Sequence, residues 1–121
     1  MRPMKGFPVQ EIMSLAADLG KRIAAHERFL KLRAAETTVD ADEDTRQLVR
    51  RMEEQRAKIA ELEARQQPVE PAEKRKLQEM ADAVHSNAKL QELARAQADY
   101  MELMERVNGA IRKALEAPED A

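Results

Sequence analysis

The 121-residue chain contains no cysteine and no tryptophan, and its only aromatic residues are two phenylalanines and one tyrosine. Without cysteine, this chain cannot form disulfides, use thiol catalysis, or ligate zinc or iron–sulfur clusters through sulfur. Its three glycines, Gly6, Gly20 and Gly109, are isolated, so there is no glycine-rich loop to cradle a phosphate. The absence of any apolar run near 20 residues, or of a signal-peptide core, leads us to expect a soluble, cytoplasmic protein that does not enter membranes.

Residues with high helix propensity dominate what is present, chiefly alanine, leucine, methionine, glutamate, lysine, arginine and glutamine. No segment alternates apolar and polar residues over the length of a strand, so we expect almost no β-structure. The sequence therefore predicts an all-α fold. We expect a small bundle of four to five helices that contains a long antiparallel helical hairpin.

The domain organisation follows from the positions of helix-breaking residues. Two prolines and a glycine in residues 1–8 predict a flexible N-terminal segment. Residues 9–116 are expected to form one helical domain, because apolar residues recur at helical spacing through most of this range. Residues 117–121 are predicted to be a flexible acidic tail.

Helix boundaries in the first half are set by two irregular stretches. Apolar residues at positions 12, 16, 19 and 23 predict a first helix from Val9 to about His26. The following segment ERFLKLRAAE either continues this helix or begins after a bend near His26. TTVDADED is predicted to break the chain, with Asp40 as the N-cap of a long helix that runs to about Gln67.

In the second half, proline and polar residues separate the helices. Pro68 cannot continue the long helix and Pro71 suits the first turn of the next, which predicts an antiparallel hairpin. In the stretch HSN, Asn87 is the favoured N-cap of the last helix and Ser86 is the competing one.

The last helix has the widest apolar stripe of the chain. Its heptad-like seam is predicted to comprise Leu90, Ala94, Gln97, Met101, Met104, Asn108, Ile111 and Leu115. A chain this short has difficulty burying so wide a stripe internally, so we expect self-association, with a homodimer favoured. The interface with another copy or with a protein partner is predicted to include Leu93, Tyr100, Met101, Met104, Val107 and Ile111.

Catalytic chemistry finds little support in the sequence. The two histidines, His26 and His85, lie outside the HExxH and ExxH spacings that place metal ligands on one helix face. Neighbouring carboxylates such as Glu53 and Glu54 fit a solvated face better than an acid–base pair. We therefore expect no enzyme, and we assign no catalytic, cofactor-binding or metal-binding residue.

Basic residues offer an alternative function as direct nucleic-acid binding. Arg50, Arg51 and the run Lys74, Arg75, Lys76 are the best candidates. However, glutamates are interleaved with them, no aromatic residue lies nearby to stack on a base, and the net charge is −2. A solvated helical surface is the favoured interpretation, and direct nucleic-acid binding is the less favoured one.

The order and spacing of these segments resemble the YlbF/YmcA-type regulators, the group that also includes the YheA-like proteins. The resemblance covers residues 10–115 and includes HERFLKLRAAE, VDADEDTRQLVRRMEEQ and VHSNAKLQELARAQADYMELMERVNGAIRKAL. The individual positions that carry it are Phe29, Leu32, Leu48, Gln55, Asn87, Leu90, Ala96, Val107, Asn108 and Ile111. The chain departs from the family pattern in having no cysteine, and in having Ala88 where proline often follows the asparagine.

The resemblance implies oligomers built through the long helices and a regulatory role without catalysis. Some members act in Gram-positive bacteria in a complex that modulates ribonuclease Y-dependent RNA maturation, and so affect competence, sporulation and biofilm formation. Cluster-dependent roles described for such complexes use cysteines, which this chain lacks. A structural coiled-coil or chaperone-like scaffold is the main alternative.

Overall fold

A computed structural model describes residues 8–116, and within this range it contains five α-helices and no strand. The helices are α1 (Val9–Ala24), α2 (Glu27–Asp40), α3 (Glu43–Ala64), α4 (Pro71–His85) and α5 (Ala88–Glu116). The predicted all-α fold with four to five helices is confirmed. The flexible segments predicted at the two termini lie outside the described residues, apart from Pro8.

The helices pack mainly as two antiparallel pairs, α2 with α5 and α3 with α4. At the start of α2, Arg28 Nη1 donates a hydrogen bond to the backbone carbonyl of Asp99 at 3.0 Å. At the other end of this pair, Lys89 Nζ lies 2.9 Å from Asp42 Oδ2, just beyond α2. The start of α2 thus lies beside the middle of α5, and the end of α2 lies beside the start of α5, so the two helices run antiparallel.

The α3–α4 pair is the predicted antiparallel hairpin, and its turn is formed by residues 65–70. Gln66 has φ 57°, a left-handed conformation that closes the helix end. The N–H of Gln67 donates to the carbonyl of Leu62 at 2.9 Å, and that of Gln66 donates to Glu63 at 3.0 Å. These two hydrogen bonds satisfy the last free carbonyls of α3, as in a Schellman motif. Pro71 then occupies the first turn of α4, where its missing N–H costs nothing.

The prediction that Asp40 is the N-cap of α3 was wrong. Helix α2 continues through the β-branched stretch TTVD to Asp40, and Asp42 is the N-cap of α3. Val39 is buried, so tertiary packing outweighs its low helix propensity. Thr38 fits the helix because its hydroxyl donates to the carbonyl of Ala34 at 3.0 Å.

Between α1 and α2 the chain bends at Ala25 and His26, so the second of the two sequence interpretations is the right one. His26 has an extended backbone and its Nδ1 accepts a hydrogen bond from the N–H of Arg28 at 3.0 Å. The histidine thus acts as an N-cap, a role more common for serine or aspartate.

The buried core is small. The buried apolar residues among those described are Leu32, Ala35, Val39, Ile59 and Ala96. Leu32, Ala35 and Ala96 form one cluster between α2 and α5, with Leu93 and Tyr100 packed against it. No described helix is long and apolar enough to cross a membrane.

Candidate interaction surface

Helix α1 carries an apolar face that the rest of the described chain leaves in solvent. Its apolar residues repeat at helical spacing, but none of its side chains is buried, and its contacts with α2 are few. Val9 is 70% exposed and Leu15 is 66% exposed. The other large apolar residues of this face that remain exposed are Ile12, Met13 and Leu19. A contiguous apolar surface of this kind marks an interaction site more often than a free surface.

Helix α5 presents a second apolar face, which α2 covers over only part of its length. Residues on this face lie three or four positions apart and are buried or half-buried; they are Leu93, Ala96, Tyr100, Leu103 and Val107. Beyond Val107 the same face continues with Ile111, which is 49% exposed. Leu115, at its margin, is 81% exposed.

The six residues predicted for an interface therefore fall into three environments. Leu93 and Tyr100 pack against the cluster between α2 and α5. Met104 and Val107 are half-buried, whereas Met101 and Ile111 are exposed.

The heptad-like seam predicted through α5 is displaced from the face that contacts α2. Ala94, Gln97, Met101 and Asn108 of that seam are exposed. Leu93 and Tyr100, which lie outside the predicted seam, make the contact instead. Sequence periodicity identified an apolar stripe but not the line along which α2 packs.

The start of α2 is fixed on α5 by one aromatic and one charged contact. The rings of Phe29 and Tyr100 lie 5.7 Å apart at an interplanar angle of 59°, a favourable tilted arrangement. The Arg28 guanidinium forms an ion pair with Glu102. The hydrogen bond from Arg28 holds the pKa of the Glu102 carboxyl below its ordinary value, and that bond likewise raises the pKa of Arg28.

The beginnings of α3 and α5 meet in a polar junction, formed by Asp42, Thr45, Asn87 and Lys89. Thr45 is only 1% exposed, and its hydroxyl donates to Asp42 Oδ2 at 2.6 Å. Lys89 approaches the same oxygen at 2.9 Å. The hydrogen bonds from Thr45 and then Lys89 lower the pKa of the Asp42 carboxyl.

Asn87 is the N-cap of α5, as predicted, and it also reaches α3. Its Oδ1 accepts a hydrogen bond from the N–H of Leu90 at 2.9 Å. Its Nδ2 lies 3.5 Å from Thr45 Oγ1. Ser86, the competing cap, instead donates to the carbonyl of Asp82 at 2.8 Å and closes the end of α4. Ser86 thus caps the end of α4, and Asn87 caps the start of α5.

A shallow cleft of about 480 Å³ opens beside this junction, and Asp42, Asp44, Thr45, Arg51 and Asn87 are among its lining residues. Its carboxylates lie at the start of α3, where the helix dipole stabilises negative charge. Within residues 8–116, no group of three or more histidine, aspartate or glutamate side chains is arranged to hold a metal ion. The cleft lies beside the hydrogen bond between Thr45 and Asp42 and the contact between Asn87 and Thr45.

The candidate nucleic-acid residues lie on the two helices of the α3–α4 hairpin. Arg50, Arg51, Lys74, Arg75 and Lys76 are exposed. Lys76 lies 3.8 Å from a Glu73 carboxylate oxygen, which offsets its charge.

Sequence reasoning missed the exposure of α1. The spacing of Ile12, Ala16, Leu19 and Ile23 correctly indicated one apolar face, and such a face ordinarily packs on the core of its own chain. One feature of the sequence could have indicated this exposure. Only Ala25 and His26 separate α1 from α2, and so short a connection makes it difficult for α1 to fold back onto the other helices.

Three comparisons with known proteins bear on the identity of this chain. A family model described as control of competence regulator ComK, YlbF/YmcA, matches residues 12–116. No curated protein matches the chain.

Two solved structures share the fold. Bacillus subtilis RicA, solved by X-ray crystallography in complex with RicF, has a TM-score of 0.80 and 19% sequence identity, with 89% of this chain and 96% of that chain covered. A Bacillus stearothermophilus protein of unknown function (DUF964) has a TM-score of 0.62 and 24% identity, with 88% and 93% covered. At these identities the two structures establish likeness of fold.

Proposed function

The chain belongs to the YlbF/YmcA family of competence-control regulators, and we propose that it is a non-enzymatic regulatory subunit that works by binding other proteins. The observation that carries the proposal is the exposed apolar surface of α1 and of the end of α5. Leu15 and Leu115 are more than half exposed, and only a few apolar side chains are buried among the described residues. Such a chain gains stability from covering these faces with protein.

Self-association is the first contact in this proposal, with a dimer favoured over larger assemblies. Met101, Met104, Val107 and Ile111 are the predicted interface residues that retain exposed surface. Leu93 and Tyr100 pack against the cluster between α2 and α5, and so hold α5 in the position that presents this surface. The flexible thioethers of the two methionines suit a surface that adapts to its partner.

A second protein is the other contact we propose. RicA, which shares this fold, was crystallised in complex with another protein, RicF. By analogy, this chain binds a protein partner through its helical faces in the cytoplasm. The link to ribonuclease-dependent RNA processing and developmental control, implied by the family resemblance, would then act through that partner.

The ionised groups of the structure fit binding better than acid–base chemistry. Hydrogen bonds from neighbouring side chains hold the pKa of the Asp42, Glu73 and Glu102 carboxyls below their ordinary values. A general acid at neutral pH needs the opposite shift, toward a carboxyl that keeps its proton. These carboxylates instead act as structural acceptors between helices.

The proposal is tested by capture followed by reconstitution. Tagged full-length chain is used to isolate proteins from the native host, and each captured protein is purified and titrated against the chain by calorimetry. We expect at least one protein to re-form a complex of defined stoichiometry. The proposal is overturned if no captured protein rebinds, or if the chain instead binds RNA with an affinity that falls steeply as salt rises.

Self-association is tested with two substitutions on α5. Met104→Lys and Val107→Glu each place a charge on the proposed surface, so both should shift the chain toward monomer and lower its melting temperature. Light scattering and thermal unfolding at one fixed protein concentration measure both effects. An unchanged dimer of unchanged stability in both variants would remove this interface from the proposal.

A further inference from the structure

Helix α5 extends past its partner α2. The first turn of α2 contacts the stretch from Asp99 to Glu102, through Arg28 and through the Phe29–Tyr100 ring pair. Residues 103–116 of α5, which we call the α5 overhang, follow this stretch and are about 20 Å long; Leu103, Met104 and Val107 within it are still half-buried. The apolar face that packs on α2 continues along the overhang to Ile111 and Leu115, both exposed.

Helix α1 is a second segment without a covering layer, and its length matches the overhang. Its 16 residues span about 24 Å. Apolar residues occupy more than half of its circumference, which is wider than the stripe needed to pack on one neighbouring helix. Ala16 and Gly20 lie near the centre of this face, and a Cβ built on Gly20 would meet no atom within 4 Å. Another helix has room to approach closely there.

The apolar area of the two segments is about that of one side of a stable interface. A standard interface buries about 800 Å² per partner, and somewhat more than half of it, roughly 450 Å², is apolar. A fully exposed aliphatic side chain offers roughly 100 Å² of apolar surface. At their observed exposures, the large apolar residues of α1 together with Ile111 and Leu115 then offer about 400 Å².

We propose that the occupant of these faces is a second copy of this chain, with α1 of each copy seated on the α5 overhang of the other. The result is a four-helix bundle made of α1 and the α5 overhang from both copies. This inference rests on the proposed function, because it names the segments through which the regulatory subunit self-associates. Compared with the interface proposed above, it places the contact on α5 nearer to Ile111 than to Met101, and it adds α1 to the interface.

Symmetry favours a second copy over an unrelated partner. Each chain contributes two apolar segments, α1 and the α5 overhang. A two-fold arrangement that pairs α1 of each copy with the overhang of the other covers all four apolar faces at once. The bundle also extends a contact that already exists, because the overhang continues the face on which α2 packs. Within the described residues, α1 makes no extensive contact with the overhang of its own chain.

Matched charge substitutions test both segments. Ile12→Glu places a carboxylate on the apolar face of α1, whereas Ser14→Glu places it on the opposite, polar face. Ile111→Glu and Ala98→Glu form the corresponding pair on α5, because Ala98 is exposed on its other side. By light scattering, Ile12→Glu and Ile111→Glu should be monomers at concentrations where the wild type and both controls are dimers. Circular dichroism checks that all variants keep their helix content.

Cross-linking tests which segments meet. Because the chain has no cysteine, single cysteines can be introduced without background. An Ile12→Cys chain mixed with an Ile111→Cys chain should give a mixed covalent dimer with a short bismaleimide linker, and a Ser14→Cys chain in place of the first should give much less. Monomeric wild type, dimeric Ile12→Glu, or equal cross-linking of the two cysteine positions would overturn the proposal.

Failure of this inference is distinguishable from failure of the proposed function. If α1 does not pair with the overhang of another copy but a purified host protein still binds the chain, only the bundle is wrong. If no host protein binds while the bundle forms, the regulatory proposal is wrong and the bundle stands.

Discussion

Gln55 of α3 donates its side-chain amide to two acceptors on Glu73 of α4, the backbone carbonyl and the carboxylate, each at 2.9 Å. Gln55 is buried, and Lys58 Nζ approaches the same carboxylate at 3.1 Å. The amide reaches both acceptors in only one alignment of the two helices. This pair therefore sets the register of the α3–α4 hairpin, in which Ile59 is the buried apolar residue.

Substitution of Gln55 tests this role. Gln55→Met keeps the size of the side chain but removes both hydrogen bonds, so it should lower the free energy of unfolding by about 1 kcal/mol. Gln55→Glu should be more destabilising at neutral pH, because its carboxylate would face that of Glu73. Urea unfolding followed by circular dichroism at fixed protein concentration measures both. Equal stability of the two variants at pH 7 would contradict the expected repulsion.

Acidification should destabilise the protein, in part through three carboxylates that join different helices. Hydrogen bonds lower the pKa of Asp42 from an ordinary value of 3.8, and those of Glu73 and Glu102 from 4.5. Because the unfolded chain binds protons more readily, the stabilising contribution is complete above these ordinary values and is lost as pH falls through the lower folded values. The melting temperature should therefore fall between about pH 5 and pH 3.

The contribution of Asp42 to this pH dependence can be isolated with Asp42→Asn. The variant loses the titrating carboxyl, so its melting temperature should change less with pH than that of the wild type over the same range. It should also be less stable at pH 7, because the neutral amide no longer pairs with Lys89. An identical pH dependence in variant and wild type would show that the junction does not contribute.

Removal of the α5 N-cap gives a third prediction. Asn87→Ala deprives the N–H of Leu90 of its acceptor and removes the contact with Thr45, so it should lower the free energy of unfolding by about 1 kcal/mol. Asn87→Asp keeps the acceptor oxygen and should recover most of the loss. Ser86→Ala should have a smaller effect, because Ser86 closes α4 rather than capping α5. A larger loss for Ser86→Ala in urea unfolding would reverse this assignment.

Local signals predicted the parts of the fold that depend on neighbouring residues. Pro68 and Pro71 located the α3–α4 turn, and Asn87 located the start of α5, because capping and proline effects act within one helical turn. The boundary at Asp40 was misplaced because burial of Val39, a non-local effect, holds the last turn of α2 in helical form. Gln55 was one of the positions that carry the family resemblance, but its partner Glu73 was not foreseen.

The interaction surface was less predictable than the helices. Periodicity shows that a helix has an apolar face, but not which helix covers it. Leu93 and Tyr100 belong to a face that α2 covers, whereas Ile12 and Leu15 belong to one that the described chain leaves exposed. The two patterns look alike in sequence, because both satisfy the spacing of three and four residues.

The end of α3 offers a stabilising substitution. Gln66 adopts a left-handed backbone, with φ 57°, which strains residues that carry a Cβ. Gln66→Gly relieves this strain, so it should raise the free energy of unfolding by up to about 1 kcal/mol despite the greater flexibility of glycine in the unfolded chain. Thermal and urea unfolding measure the change. A decrease in stability would show that the Gln66 side chain makes a contribution larger than the strain.

The closeness of α2 and α5 depends on Ala96, which is only 3% exposed beside Leu32 and Ala35. Ala96→Leu must push the two helices apart or force side chains out of their preferred rotamers, so it should lower the free energy of unfolding by about 1–3 kcal/mol. Ala98→Leu, on the exposed side of the same helix, should change it by less than about 0.5 kcal/mol. Separation of α2 from α5 would also displace Phe29 from Tyr100, so the near-ultraviolet circular dichroism of the tyrosine should weaken in Ala96→Leu alone. Equal effects of the two substitutions on stability and on this signal would show that α2 and α5 are not closely packed at Ala96.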